Sequence, residues 1–99
     1  MTVNGYKTKT TFYNDFTIAD FFGAKAVKDT YERAFNEWKD NVVYLTELVL
    51  VMNWKCWYWY NKGNIKLSML YKDLYYKAHN YARRTLKGAD YEYYFNITD

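Results

Sequence analysis

The sequence predicts a mainly α-helical fold: a compact bundle of three main helices preceded by a short N-terminal helix. Three observations carry this reading. Three long segments repeat their apolar residues at helical spacing. Of the four glycines, Gly23, Gly63 and Gly88 fall where such patterns stop, as expected for helix ends. There is no proline to interrupt any of them. Ninety-nine residues suffice for one core and not for two, so 1–99 is read as a single domain.

Residues 1–14 contain YKTKTTFY, which alternates weakly and is rich in Thr and aromatics. That composition predicts an extended arm or short strand. Asp15 or Thr17 is placed to cap a short helix over 18–22, ending at Gly23. The next helix, 24–39, carries Val27, Tyr31, Ala34, Phe35 and Trp38 on one face and charged residues on the other. This is an amphipathic surface helix. The four-apart pairs Lys28–Glu32 and Arg33–Glu37 each support it by roughly 0.2–0.5 kcal/mol.

Asp40 or Asn41 is placed to cap the third helix, 42–61, which is apolar on most faces and therefore belongs at the centre of the bundle. A strand over 42–52 is the alternative. The helical series Leu45, Leu48, Val49, Met52, Cys56 and Trp59 favours the helix. A transmembrane span over 42–60 would bring Glu47, Asn53 and Lys55 into the bilayer, and each central charge costs roughly 2.5–3.5 kcal/mol there, so a soluble helix is expected. The fourth helix, 65–87, has an inner stripe of Leu67, Leu70, Tyr71, Leu74, Ala78, Tyr81, Ala82 and Thr85. The tail, 89–99, is read either as a partner for the N-terminal segment in a two-stranded ribbon or as another short helix.

Aromatic residues form 23% of the chain, more than a small core can bury, so several rings are expected at the surface. Cys56 is the only cysteine, which excludes an internal disulfide. The first fifteen residues hold Lys7, Lys9, Asn14 and Asp15 without an apolar run, so no export signal is read and a reducing, cytoplasmic home is expected. Asn96-Ile97-Thr98 matches a glycosylation acceptor, which without export is a chance match.

Catalytic patterns are sparse. Ser68, the single serine, and His79, the single histidine, lie eleven apart on one helix, about 16 Å along its axis, too far for a dyad. Cys56 with His79 stays open on geometry, but a cysteine on an apolar helix behaves as a small hydrophobe. One Cys and one His cannot make a zinc site. No glycine-rich phosphate loop is present. Glu47, inside an apolar helix, is read as a carboxylate satisfied by a Tyr hydroxyl or an Arg. The chain is expected not to be an enzyme and to need no metal or cofactor.

Charge gives the clearest signal outside the core. Residues 55–87 hold eight basic residues, Lys55 among them, against one acid, Asp73, whereas residues 1–50 hold six basic and seven acidic. On the fourth helix Lys72, Tyr76, His79, Asn80, Arg83 and Lys87 recur along one stripe, flanked by Lys77 and Arg84. Lys72, Tyr76, Lys77, His79, Arg83, Arg84 and Lys87 are therefore the candidate partner-binding residues. Such a stripe docks on an acidic protein surface or on phosphate backbones, or is a solvated face matched to the helix C-terminus. The segment Ile18–Ala24 spaces Ala19 and Gly23 as a helix-turn-helix does. However, Asp29 and Glu32 fall where that motif needs apolar residues, and the following helix is near neutral.

The segments TFYNDFTIADFFG, AVKDTYERAFNEWKDNVVYLTELVLVMNWKCW and LYKDLYYKAHNYA, with the terminal ITD, resemble a group of small accessory proteins of phages and integrative mobile elements of gut Gram-positive bacteria. The resemblance covers nearly the whole chain, in overall pattern rather than in a chemical motif. It implies a mobile-element protein working in a bacterial cytoplasm, of a kind that includes inhibitors of host defence such as anti-CRISPR proteins. The expected function is thus non-enzymatic binding of a host defence nuclease or other defence protein. The alternative is nucleic-acid binding through the basic stripe. Homo-oligomerisation through surplus aromatics is compatible with both, and no membrane partner is expected.

Overall fold

The computed structural model describes residues 9–85. They form four α-helices in chain order: α1 Lys9–Phe22, α2 Ala24–Trp38, α3 Val42–Asn61 and α4 Ile65–Thr85. Among the described residues there is no strand, and the mainly α bundle is what the periodicity demanded. No helix among them is long and apolar enough to cross a membrane.

The arm expected over 1–14 is corrected where it is described. Residues 9–14 are helical, and α1 begins well before the short 18–22 helix read from the sequence. Burial overrides local composition here. Phe12, Phe16 and Ala19 recur at i, i+4 and i+7, and all three are buried. A strand would place Phe12 and Phe16 on the same face as exposed Asn14. Thr17 does not cap a helix: its hydroxyl donates to the Tyr13 carbonyl at 2.9 Å, inside α1. The rest of the arm, residues 86–87 of the last helix, the tail and hence the ribbon lie outside the described residues.

One residue separates α1 from α2. Gly23 donates to the Ala19 carbonyl at 3.1 Å and accepts from the Val27 N–H at 3.1 Å, ending one helix and starting the next. Its φ of 108° with ψ of −176° is a region open only to glycine. On α2, Val27 and Tyr31 are buried and the ion pair formed is Lys25–Asp29 at 2.9 Å, one register before the expected Lys28–Glu32. Asn41 is the cap of α3, accepting from the Tyr44 N–H at 3.1 Å.

Every residue from Tyr44 to Met52 is buried, so the first half of α3 is enclosed on all sides. Its second half is not: Trp54, Trp57, Tyr58 and Tyr60 are exposed. α3 and α4 pair antiparallel and most extensively, with α1 and α2 packed across them. The turn between them is closed at Gly63, φ 85°, where the Asn64 N–H donates to the Trp59 carbonyl and the Gly63 N–H to the Tyr60 carbonyl. That is a Schellman C-cap. Asn64 then caps α4, its Oδ1 accepting from the Leu67 N–H at 3.1 Å. Of the predicted inner stripe on α4, Leu67, Tyr71, Leu74, Ala78 and Ala82 are buried, whereas Thr85 is exposed.

Candidate functional site

The densest polar chemistry is buried where α1 crosses the hairpin. Tyr13, Thr17 and Asp20 form a second row on α1, at i, i+4 and i+7, facing Lys55 of α3. The Lys55 ammonium is only 2% exposed and donates to Asp20 Oδ2 at 2.8 Å and to Thr17 Oγ1 at 2.9 Å. It also lies 4.4 Å from the centre of the Tyr13 ring. The same Asp20 oxygen accepts from the Trp59 indole at 3.0 Å, and its other oxygen accepts from the Tyr71 hydroxyl. Burial, reinforced by that bond to Asp20, pushes the Tyr71 phenol well above its ordinary range, so it stays protonated.

A buried charge must be paired, and here each partner satisfies the other. Lys55 and Asp20 are therefore committed to holding α1 on α3 and α4. This corrects the charge count along the sequence: Lys55 belongs to the interior and not to the cationic surface. The signal for it was the position of a lysine among apolar residues of α3, which requires an acid from elsewhere.

Cys56 is half-buried. Ser68 donates to the Cys56 carbonyl at 2.9 Å, with Sγ and the Ser68 Oγ 3.6 Å apart. This contact fixes the level at which Cys56 meets α4. His79 lies eleven residues further along that helix, about 16 Å away, so the Cys56–His79 pairing left open by the sequence is not assembled. Among the described residues no cluster of His, Cys, Asp or Glu has the makings of a metal site.

The surface stripe of α4 faces solvent as read. Lys72, Tyr76, Lys77, Arg83 and Arg84 are exposed and His79 is partly buried, while Lys87 lies outside the described residues. Burial, with Arg83 nearby, holds the His79 imidazole below its usual range, so it is neutral at pH 7. It packs against the Tyr75 ring, centroids 5.3 Å apart. The structure divides these residues between two faces. Lys77 and Arg84 turn toward α2, where they border a shallow cleft with Glu32, Asn36 and Tyr81. Lys77 is 3.6 Å from Asp73.

Lys72 and Tyr76 turn the other way, onto a groove of about 350 Å³ between the second half of α3 and the first half of α4. Cys56 and Ser68 contribute to its lining, with Trp57, Tyr60 and Met69 beside them. Trp57 and Tyr60 pack edge to face, centroids 5.7 Å apart. Trp57, Tyr60, Met69 and Tyr76 are each more than half exposed. Ile65, equally exposed, extends this face toward the start of α4. Ile65, Met69, Lys72, Tyr76 and Arg83 follow at i, i+4, i+7, i+11 and i+18, so one face of α4 changes from apolar to cationic along its length. The sequence reading missed Ile65, Met69, Trp57 and Tyr60. The apolar pattern of α3 is the same in both halves, and only their surroundings separate a buried half from an exposed one.

A second groove differs in charge. A groove of about 480 Å³ between α1 and α2 has Phe16, Ala19 and the exposed Ile18 and Phe22 in its lining, with Asp15, Asp29, Glu37 and Arg33 as its charged residues. Comparison of the chain with known protein families, curated proteins and solved structures finds no match. Fold and surface together define a class: a small helical domain with exposed apolar groups in two places, Ile18, Phe21 and Phe22 toward the end of α1, and Trp57, Tyr60, Ile65, Met69 and Tyr76 beside Lys72.

Proposed function

We propose that the chain is a non-catalytic binding protein that engages a protein partner through the face shared by the second half of α3 and α4. One observation carries this: Trp57, Tyr60, Met69 and Tyr76 are all more than half exposed around a single groove. Exposed aromatic and Met side chains have the composition of interface cores. Large rings with few rotamers also lose little freedom on contact. The resemblance to mobile-element proteins makes a host defence protein, such as a nuclease, the partner class, and binding that occludes its working surface the mode of action.

The test is affinity capture of a partner from a bacterial host lysate with tagged protein. Trp57→Ala with Met69→Ala is expected to reduce recovery at least about tenfold, since central aromatic anchors dominate interfaces. Capture unchanged by these substitutions removes the assignment of the face. A second reading, nucleic-acid binding, is favoured by the exposure of Lys66, Lys72, Lys77, Arg83 and Arg84 along α4. Gel shifts with single- and double-stranded DNA and RNA at low and high salt decide it, since phosphate contacts weaken steeply with salt. No shift at low salt discards it.

A further inference from the structure

Among the described residues, the exposed carboxylates keep away from the groove between α3 and α4. Exposed carboxylates Asp29, Glu32, Glu37 and Asp40 lie on α2 and just after it. Glu47, the carboxylate of α3, is buried, and the one carboxylate of α4, Asp73, faces Lys77 away from the groove. The charged side chain lining the groove between α3 and α4 is Lys72, with Arg83 about 16 Å further along the same face of α4. The groove is thus apolar with cations beside it.

We infer that this groove takes an acidic amphipathic helix of another protein, its apolar side chains seated against Trp57, Tyr60, Met69 and Tyr76 and its carboxylates beside Lys72 and Arg83. The inference rests on the binding role proposed above and names the partner's chemistry. Ile65, Met69, Lys72 and Tyr76 span eleven residues, about 16 Å, which matches roughly three turns of an occupant presenting anchors at i, i+4 and i+7. Cys56, Ser68 and Met69 in the lining suit a side chain inserted end-on. Trp57 packs edge-on against Tyr60 and Tyr75 against Tyr76, so the rings do not form an open stacking track for bases. The α2 helix of a second copy does not supply that occupant: it sets Lys25, Lys28 and Arg33 beside its carboxylates, turns Val27 and Tyr31 into its own core and has no large apolar side chain among its exposed ones.

The probes are two fluorescent helical peptides of about eighteen residues, enough for ~27 Å of helix. Both carry Leu at i, i+4, i+7 and i+11, one with Glu and the other with Lys at the flanking positions. A thymidine oligonucleotide is the third probe. Binding is read by fluorescence anisotropy, with folding of each variant checked by circular dichroism. The acidic peptide is expected to bind at least about tenfold more tightly than the basic one, a difference of ~1.4 kcal/mol. Lys72→Glu should reverse that order, Trp57→Ala should weaken both peptides, and added salt should narrow the gap between them. Equal affinities, a preference for the basic peptide, binding of neither, or tighter binding of the oligonucleotide overturns the inference. Lysate capture that still depends on Trp57 and Met69 would leave the broader binding role standing in each of those cases. Capture indifferent to them removes the role itself.

Discussion

Asp20 receives three donors, from Lys55, Trp59 and Tyr71, in a place water hardly reaches. Removing one member of a buried ion pair strands the other. Asp20→Ala and Lys55→Ala are therefore each expected to destabilise the protein by about 3–5 kcal/mol, read from urea denaturation. Replacing both with apolar residues, Asp20→Leu with Lys55→Met, should cost less than either single change, because no uncompensated charge remains. A double variant as unstable as the sum of the singles would show that the pair is not coupled. Neither residue was legible as a pair in the sequence. Lys55 was visible as a charge inside an apolar helix, but Asp20 lies 35 positions away and nothing local joins them. The exposed cations Lys72, Arg83 and Arg84 were legible, because helical spacing alone separates them from the buried Leu and Ala stripe.

At the scale of the elements, the glycines are the sharpest features. Gly23 and Gly63 both have positive φ, and a Cβ added at either meets nothing within 4 Å. Any loss on substitution is therefore backbone strain rather than crowding. Gly63 sits in a left-handed cap that other residues enter at roughly 1–2 kcal/mol. Gly23, with ψ near −176°, lies in a region that is essentially glycine-only. Gly23→Ala is expected to lower the urea midpoint more than Gly63→Ala, and the reverse order would refute the backbone argument. Helices α2, α3 and α4 were readable because each has a long apolar period and, for α3, a capping Asn41 before it. α1 was not. Its Thr- and Tyr-rich start has strand-like composition, and only the burial of Phe12 and Phe16 against the hairpin decides otherwise.

The molecule as a whole joins two local units, the α1–α2 corner at Gly23 and the α3–α4 hairpin, by distant bonds. The α3–α4 hairpin closes through a turn in which Asn64 completes one helix and begins the next, so its contacts join residues close in sequence. α1 is fastened by bonds that bridge 35 to 55 positions. The face that joins exposed rings of α3 to cations of α4 was half legible. The cations showed in the sequence, but the rings of the second half of α3 looked like core.

That difference in reach governs the order in which the fold assembles. Pairings near in sequence close first because they sacrifice the least chain entropy, and remote ones follow. The turn at Asn64 is then expected in the rate-limiting nucleus, and the Asp20 bonds after the barrier. In stopped-flow measurements Asn64→Ala should slow refolding, whereas Asp20→Ala should leave refolding nearly unchanged and hasten unfolding. The bonds that Asp20 makes across the hairpin are in that sense a latch: the last to engage and the first to let go.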